Sequence, residues 1–171
     1  MKPDTKPDVI AYTDGGCRGN PGPGAWAFLL IDPATGKALE RTGGERLTTN
    51  NRMELLGVIE ALRALRGQTQ RVRLMSDSTY VIHSATKWMA GWKARGWKRK
   101  DGELKNVDLL QELDRLVALH EIEWQWVKGH DGEPGNERVD ELTNHGMDRI
   151  AAGESAAWER RCTWPSARGS G

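Results

Sequence analysis

Cysteine is scarce. The 171-residue chain holds two, Cys17 and Cys162, in unlike surroundings and without a Cys-x-x-Cys spacing. That argues against a disulfide framework and against a zinc site, and points to a reducing, cytoplasmic location. Long hydrophobic runs are also missing. The longest, residues 25–31, is far below the roughly 18 apolar residues a membrane span needs. The start of the chain, residues 1–8, is polar and proline-containing, with no export or anchoring signal, so no membrane association is expected. Charge of one sign is not in excess either: the formal net charge is +1, and the whole-molecule field gives no argument for a polyanionic partner. No internal repeat is present.

The composition, 37% hydrophobic and 29% charged, is that of an ordinary folded protein, and the length suits one compact domain. The reading places a short N-terminal tail at residues 1–8, a domain at 9–153 and a mobile, unperiodic tail at 154–171. Residues 9–12 form a short apolar strand ended by Asp14-Gly15-Gly16. A Gly/Pro-rich turn follows at 19–24, then a buried strand at 25–31 and a weaker one at 37–46. Leu55, Val58, Ile59, Leu62 and Leu65 recur at helical spacing after a group of cap residues, until Gly67 stops them. Residues 71–76 alternate as a strand ending at Asp77, and Ser78 or Thr79 caps a second helix. Val107, Leu110, Leu113 and Val117 mark another helix. Ile122, Trp124 and Trp126 describe a strand with one wet face, and residues 136–152 a closing helix. The order predicts an α/β domain with a five-stranded mixed sheet, an antiparallel meander plus parallel strands, and helices on both faces.

Asp14 and Asp77 follow apolar strands, and in α/β sheets the carboxyl ends of parallel strands are where ligands gather. Glu54 and Asp140 sit near the starts of helices that can project to the same edge. Four clustered carboxylates repel unless neutralised, and an oxygen-rich site of this kind suits Mg²⁺ or Mn²⁺ shared with a phosphate. Each acid also has an ordinary reading: Glu54 closing a cap with Asn51, Asp140 favouring a helix N-terminus, Asp14-Gly15 forming a turn.

Two other stretches carry chemistry. Residues 87–105 hold seven basic residues against two acids, a local +5, with Trp88, Trp92 and Trp97 among Lys93, Arg95, Lys98, Arg99 and Lys100. Cations that neutralise phosphates beside aromatic faces suit a nucleic-acid strand, although a charged helix hiding core tryptophans is the competing reading, even for Trp88 and weaker for Trp92 and Trp97. His130 lies among Gly129, Gly132 and Gly135, in a segment expected to move until substrate or metal arrives.

Taken together, YTDGGCRGNPGPG at 12–24, TNNRMEL at 49–55, SDSTY at 76–80, WVKGH at 126–130 and NERVD at 136–140 resemble, in order and spacing, the signatures of type 1 ribonuclease H. The resemblance spans about residues 9–152. It implies that Asp14, Glu54, Asp77 and Asp140 are catalytic and bind two Mg²⁺ ions, with Mn²⁺ as a substitute. It gives His130 an auxiliary role in proton transfer or product release. It implies an endonuclease that cuts the RNA strand of an RNA/DNA hybrid, leaving 5′-phosphate and 3′-hydroxyl ends. Cys17, Asn20, Asn50 and Asn51, with Glu54, would meet the hybrid's minor groove, where the 2′-hydroxyl distinguishes RNA. Thr49 and Asn106 match positions that hold a DNA phosphate, and the Trp-rich segment resembles a basic protrusion that grips the DNA strand. Leu47 stands where the bacterial pattern has arginine, with Arg46 adjacent, and Thr79 where it has glutamine. A monomer without an obligate protein partner is expected. The competing readings are a hybrid-binding module with little turnover, another nuclease of the same fold, and a flavodoxin-like ligand domain, which the early meander disfavours.

Overall fold

The computed structural model describes residues 6–65, 67–68, 70–129 and 132–164. Its centre is a six-stranded mixed sheet. Strands β1 (Val9–Cys17), β2 (Gly22–Ile31) and β3 (Lys37–Thr48) form the antiparallel meander, and β4 (Arg71–Ser76) and β5 (Glu121–Trp126) add in parallel on the far side of β1. The spatial order is β5-β4-β1-β2-β3-β6. Strand β2 is central and covered on both faces, so residues 27 to 31, Ala27, Phe28, Leu29, Leu30 and Ile31, are all buried in a run instead of alternating.

Helices cover both faces, as expected. On one face α1 (Asn50–Ala64) and α4 (Val107–Val117) pack Leu55, Ile59, Leu62, Leu110 and Leu113 against Ala11, Phe28 and Leu74. On the other, α5 (Pro134–Ala151) lays Val139 and Leu142 on Tyr12, Ala27, Leu29 and Ile31. Between β4 and α4 runs a broken helix: α2 (Thr79–His83), a π-helical turn (Ser84–Trp88) and α3 (Met89–Ala94). Among the described residues, no helix is long and apolar enough to cross a membrane.

The expected five strands become six, and the expected tail from residue 154 is corrected up to residue 164. Strand β6 (Trp158–Thr163) pairs antiparallel with β3, from Thr42↔Trp158 to Lys37↔Thr163. Its Trp158 and Cys162 join the α5-side core. Inside, Glu40 is fully buried and takes Arg138 from α5 at 2.6 and 3.0 Å and Arg160 from β6 at 3.1 Å. A buried carboxylate needs such partners, and supplying them draws β6 onto the sheet. At the other end, Asp8 of the expected N-terminal tail docks on β4 through its backbone and carboxylate to Arg71.

Candidate active site

The sequence reading ended the first strand before Asp14. The structure instead carries β1 through it: the ladder to β2 continues past Asp14↔Ala27 to Cys17↔Gly24. The parallel pairing to β4 stops earlier, at Tyr12↔Met75. Asp14 therefore lies just beyond the last β1–β4 pair, and Asp77 just past the end of β4.

Glu54 arrives by an unusually close approach. A Cβ at Gly15 would sit 2.3 Å from the Met53 carbonyl carbon and oxygen, and one at Gly57 would sit 2.8 Å from the Asp14 carbonyl oxygen. Only glycine permits that contact, and it sets α1 directly on the β1 backbone with the Glu54 amide against Gly15. The ordinary reading of Glu54 as a capping residue fails, because Thr49 is the N-cap and its hydroxyl accepts from the Arg52 amide. Helix α5 is docked in a similar way. Its Gly135 packs on the Tyr12 ring, and the Tyr12 hydroxyl is held by Glu133, the residue that caps α5; burial first and Glu133 second push the phenol's ionisation up. This brings Asp140, in the second turn of α5, to the same edge.

Asp77 lies in the electrostatic surroundings of both Asp14 and Glu54. The Asp14 carboxyl is pushed well above the ordinary carboxylate range, mainly by burial and then by Asp77 and Asp140. Burial raises Glu54 to about 7, with Asp77 adding to the rise and a hydrogen bond from Ser78 opposing it. One Glu54 oxygen, Oε2, is buried without a hydrogen-bond partner. No three His, Cys, Asp or Glu side chains among the described residues are gathered closely enough to hold an ion outright. An orphaned buried carboxylate oxygen amid acids suits a hard divalent cation, the partner that oxygen donors favour. Sequence reasoning gave Ser78 only a capping role; its hydroxyl accepts from the Val81 amide and also donates to Glu54. The indole N–H of Trp126, half exposed on the edge strand, fixes the Asp77 carbonyl at 3.1 Å. His130 falls outside the described residues.

The expected substrate residues divide. Cys17, Asn20 and Asn50 interlock beside the acids: the Cys17 amide donates to Asn50 Oδ1 at 2.8 Å, and the Asn50 amide to Asn20 Oδ1 at 3.1 Å. Asn51 is exposed next to them. Thr49 and Asn106 meet around Arg52, whose backbone N–H donates to the Thr49 hydroxyl and whose guanidinium donates to Asn106 Oδ1 at 3.3 Å. In the basic stretch the weighting of the tryptophans reverses. Trp88 is the exposed ring, at 41%, while Trp92 and Trp97 pack partly buried on the core. The cause is a left-handed turn at Gly96 and Trp97 that folds the chain back, with the Trp97 amide donating to Trp92 at 2.7 Å. Trp88 and Trp92 line an open groove of about 520 Å³ with Lys87, Arg95, Arg99 and Lys100. Lys93 is turned away to Asp114 at 3.0 Å, and Lys98 is exposed outside the groove.

Acids carried by two strands and two helices towards one sheet edge, with a cationic aromatic groove elsewhere on the surface, define a ribonuclease H-like α/β domain. The ribonuclease H family profile matches residues 6–148. The ribonuclease H of Alcanivorax borkumensis is 55% identical over 144 residues, covering 84% of this chain and 93% of the relative. A solved type 1 ribonuclease H carrying the type 2 active-site motif superposes with a TM-score of 0.79 at 33% identity, covering 99% of this chain and 85% of its own. A ribonuclease H1 solved in complex with an RNA/DNA hybrid superposes with a TM-score of 0.64 at 25% identity, covering 84% and 99%. The chain belongs to the ribonuclease H family of metal-dependent endoribonucleases, on its type 1 branch.

Proposed function

We propose that this enzyme cuts the RNA strand of RNA/DNA hybrids, with Asp14, Glu54, Asp77 and Asp140 holding two Mg²⁺ ions, Mn²⁺ being an alternative. The observation that carries this reading is the buried Asp14 carboxyl facing Asp77 and Asp140, together with the partnerless Glu54 oxygen. When bound, such ions make water nucleophilic at neutral pH and stabilise the leaving oxygen of an in-line displacement, leaving 5′-phosphate and 3′-hydroxyl ends. The chain's own part is positional. Gly15 and Gly57 set the spacing of Glu54 from Asp14, Ser78 orients the Glu54 carboxylate, and Trp126 holds the backbone at Asp77.

On the RNA side, the interlocked Cys17, Asn20 and Asn50 with Asn51 present backbone and amide groups to the minor groove, where a 2′-hydroxyl is both donor and acceptor. On the DNA side, Thr49 and Asn106 hold a phosphate. Trp88, Arg95 and the groove cations grip the strand, with Trp92 and Trp97 as the packed base of that segment and the exposed Lys98 adding charge, while Lys93 is held by Asp114. His130 assists proton transfer or product release. The enzyme acts as a monomer.

The test offers labelled RNA/DNA hybrid, duplex RNA, single-stranded RNA and duplex DNA, each with Mg²⁺ or with chelator. Mg²⁺-dependent cutting of the hybrid's RNA alone is expected. Binding of hybrid without turnover, or cutting of duplex DNA, overturns the reading.

A further inference from the structure

Asn106 is an asparagine at a helix N-cap that does not cap. It sits in the left-handed region, at φ 64° and ψ 29°, and its side chain makes no hydrogen bond to the first turn of α4. Asparagine at this position normally accepts from the backbone N–H groups ahead of it. The side chain is engaged elsewhere. Its Oδ1 accepts from Arg52 Nη1 at 3.3 Å, and its Nδ2 donates to the Tyr80 hydroxyl at 3.3 Å. Arg52 in turn is clamped to Asp108 by two parallel bonds, at 3.1 and 2.9 Å. Such a fork allows a guanidinium little freedom.

Each end of the amide thus has a partner, and the one at the oxygen can only donate, whereas the Tyr80 hydroxyl can donate or accept. Arg52 has donors alone, so the Asn106 oxygen must face it, and the NH₂ group is left facing Tyr80. One amide hydrogen remains over among the described residues. We propose that Arg52 and Tyr80 are positioning residues that fix the rotation of the Asn106 amide so that this N–H, and not the carbonyl oxygen, faces the bound strand's phosphate. An amide turned the other way would set an acceptor against an anion. Arg52 does not serve as the phosphate's own cation: its charge is already matched by Asp108, which lowers the Asp108 carboxyl below its ordinary range. This rests on the reading of Asn106 as a phosphate contact.

The test compares Asn106→Ala, Tyr80→Phe and Arg52→Met, with each of the last two also combined with Asn106→Ala. Thermal melts first establish that all are folded; Asp108 is 64% exposed, so loss of Arg52 does not strand a buried charge. Initial rates on hybrid then give KM and kcat. Tyr80→Phe and Arg52→Met are expected to raise KM by about 3- to 10-fold, the worth of one net hydrogen bond, with kcat within about twofold. Neither is expected to raise KM further once Asn106 is alanine, because coupled residues are not additive. If Asn106→Ala raises KM while the two positioning variants do not, or if their effects add to it, the positioning role is overturned and the phosphate contact stands. If Asn106→Ala leaves KM unchanged, the contact itself fails and the positioning role with it.

Discussion

Replacing Glu54 by glutamine should stabilise the metal-free protein at high pH and not at low pH. In the fold the Glu54 carboxyl titrates at about 7 against an ordinary value of 4.5. The native state therefore holds a proton that the unfolded chain has released between those limits, so stability is full below 4.5 and is lost as pH rises through 7. At about 1.4 kcal/mol per pH unit the charged form costs at most about 3 kcal/mol at pH 8. Glutamine removes that charge and keeps an oxygen for Ser78, but leaves an amide N–H where Oε2 had no partner, a loss of about 1–3 kcal/mol. The balance at pH 8 is a gain of at most about 2 kcal/mol, a rise in Tm of up to roughly 8 °C for a chain of this size. At pH 4.5 only the loss remains, and the variant should melt below the parent. Paired thermal melts in chelator at the two pH values decide the matter, and added Mg²⁺ should raise the parent's Tm more than the variant's. A Tm difference of the same sign and size at both pH values would refute the reasoning.

Asp14→Asn should abolish turnover while leaving hybrid binding largely intact, since the basic groove and the Asn106 pocket are untouched; cleavage at the parent's rate would remove Asp14 from the chemistry. Gly15→Ala forces a methyl to within 2.3 Å of the Met53 backbone, so calorimetry should show a loss of about 1–3 kcal/mol and activity should fall with it. Arg138→Met strips two of the three hydrogen bonds from the buried Glu40. Denaturant unfolding should register a loss of about 3 kcal/mol, the lower end for breaking a buried pair, with little change in kcat.

Local pattern revealed the elements whose partners lie on one side of the sequence. The alternation of residues 71–76 and the helical spacing of Leu55 to Leu65 needed no neighbour to be read, and both stand where expected. Strand β6 was hidden because Glu159, Arg161 and Thr163 alternate with only half-buried Trp158, Arg160 and Cys162. Its strand character arises from β3, more than a hundred residues away, and from the fully buried Glu40, which nothing in a weak strand marks as interior. The meeting of the four acids was likewise non-local. Position near an element's end suggests it for each, the ordered resemblance joins them, and the Gly15–Met53 contact accounts for one approach, that of α1 to β1. The tryptophans went the other way: composition made Trp97 look free, and a left-handed turn that sequence does not announce tucked it in.

Gly57 lies against the carbonyl of Asp14 and Gly15 against that of Met53, so two carriers of the acidic edge touch main chain to main chain. Rotamer changes elsewhere in the interior have no side chain at that seam through which to act. The gap between Asp14 and Glu54 is accordingly governed by peptide dimensions, and remodelling of the surrounding hydrophobic residues should alter melting behaviour long before it alters that gap.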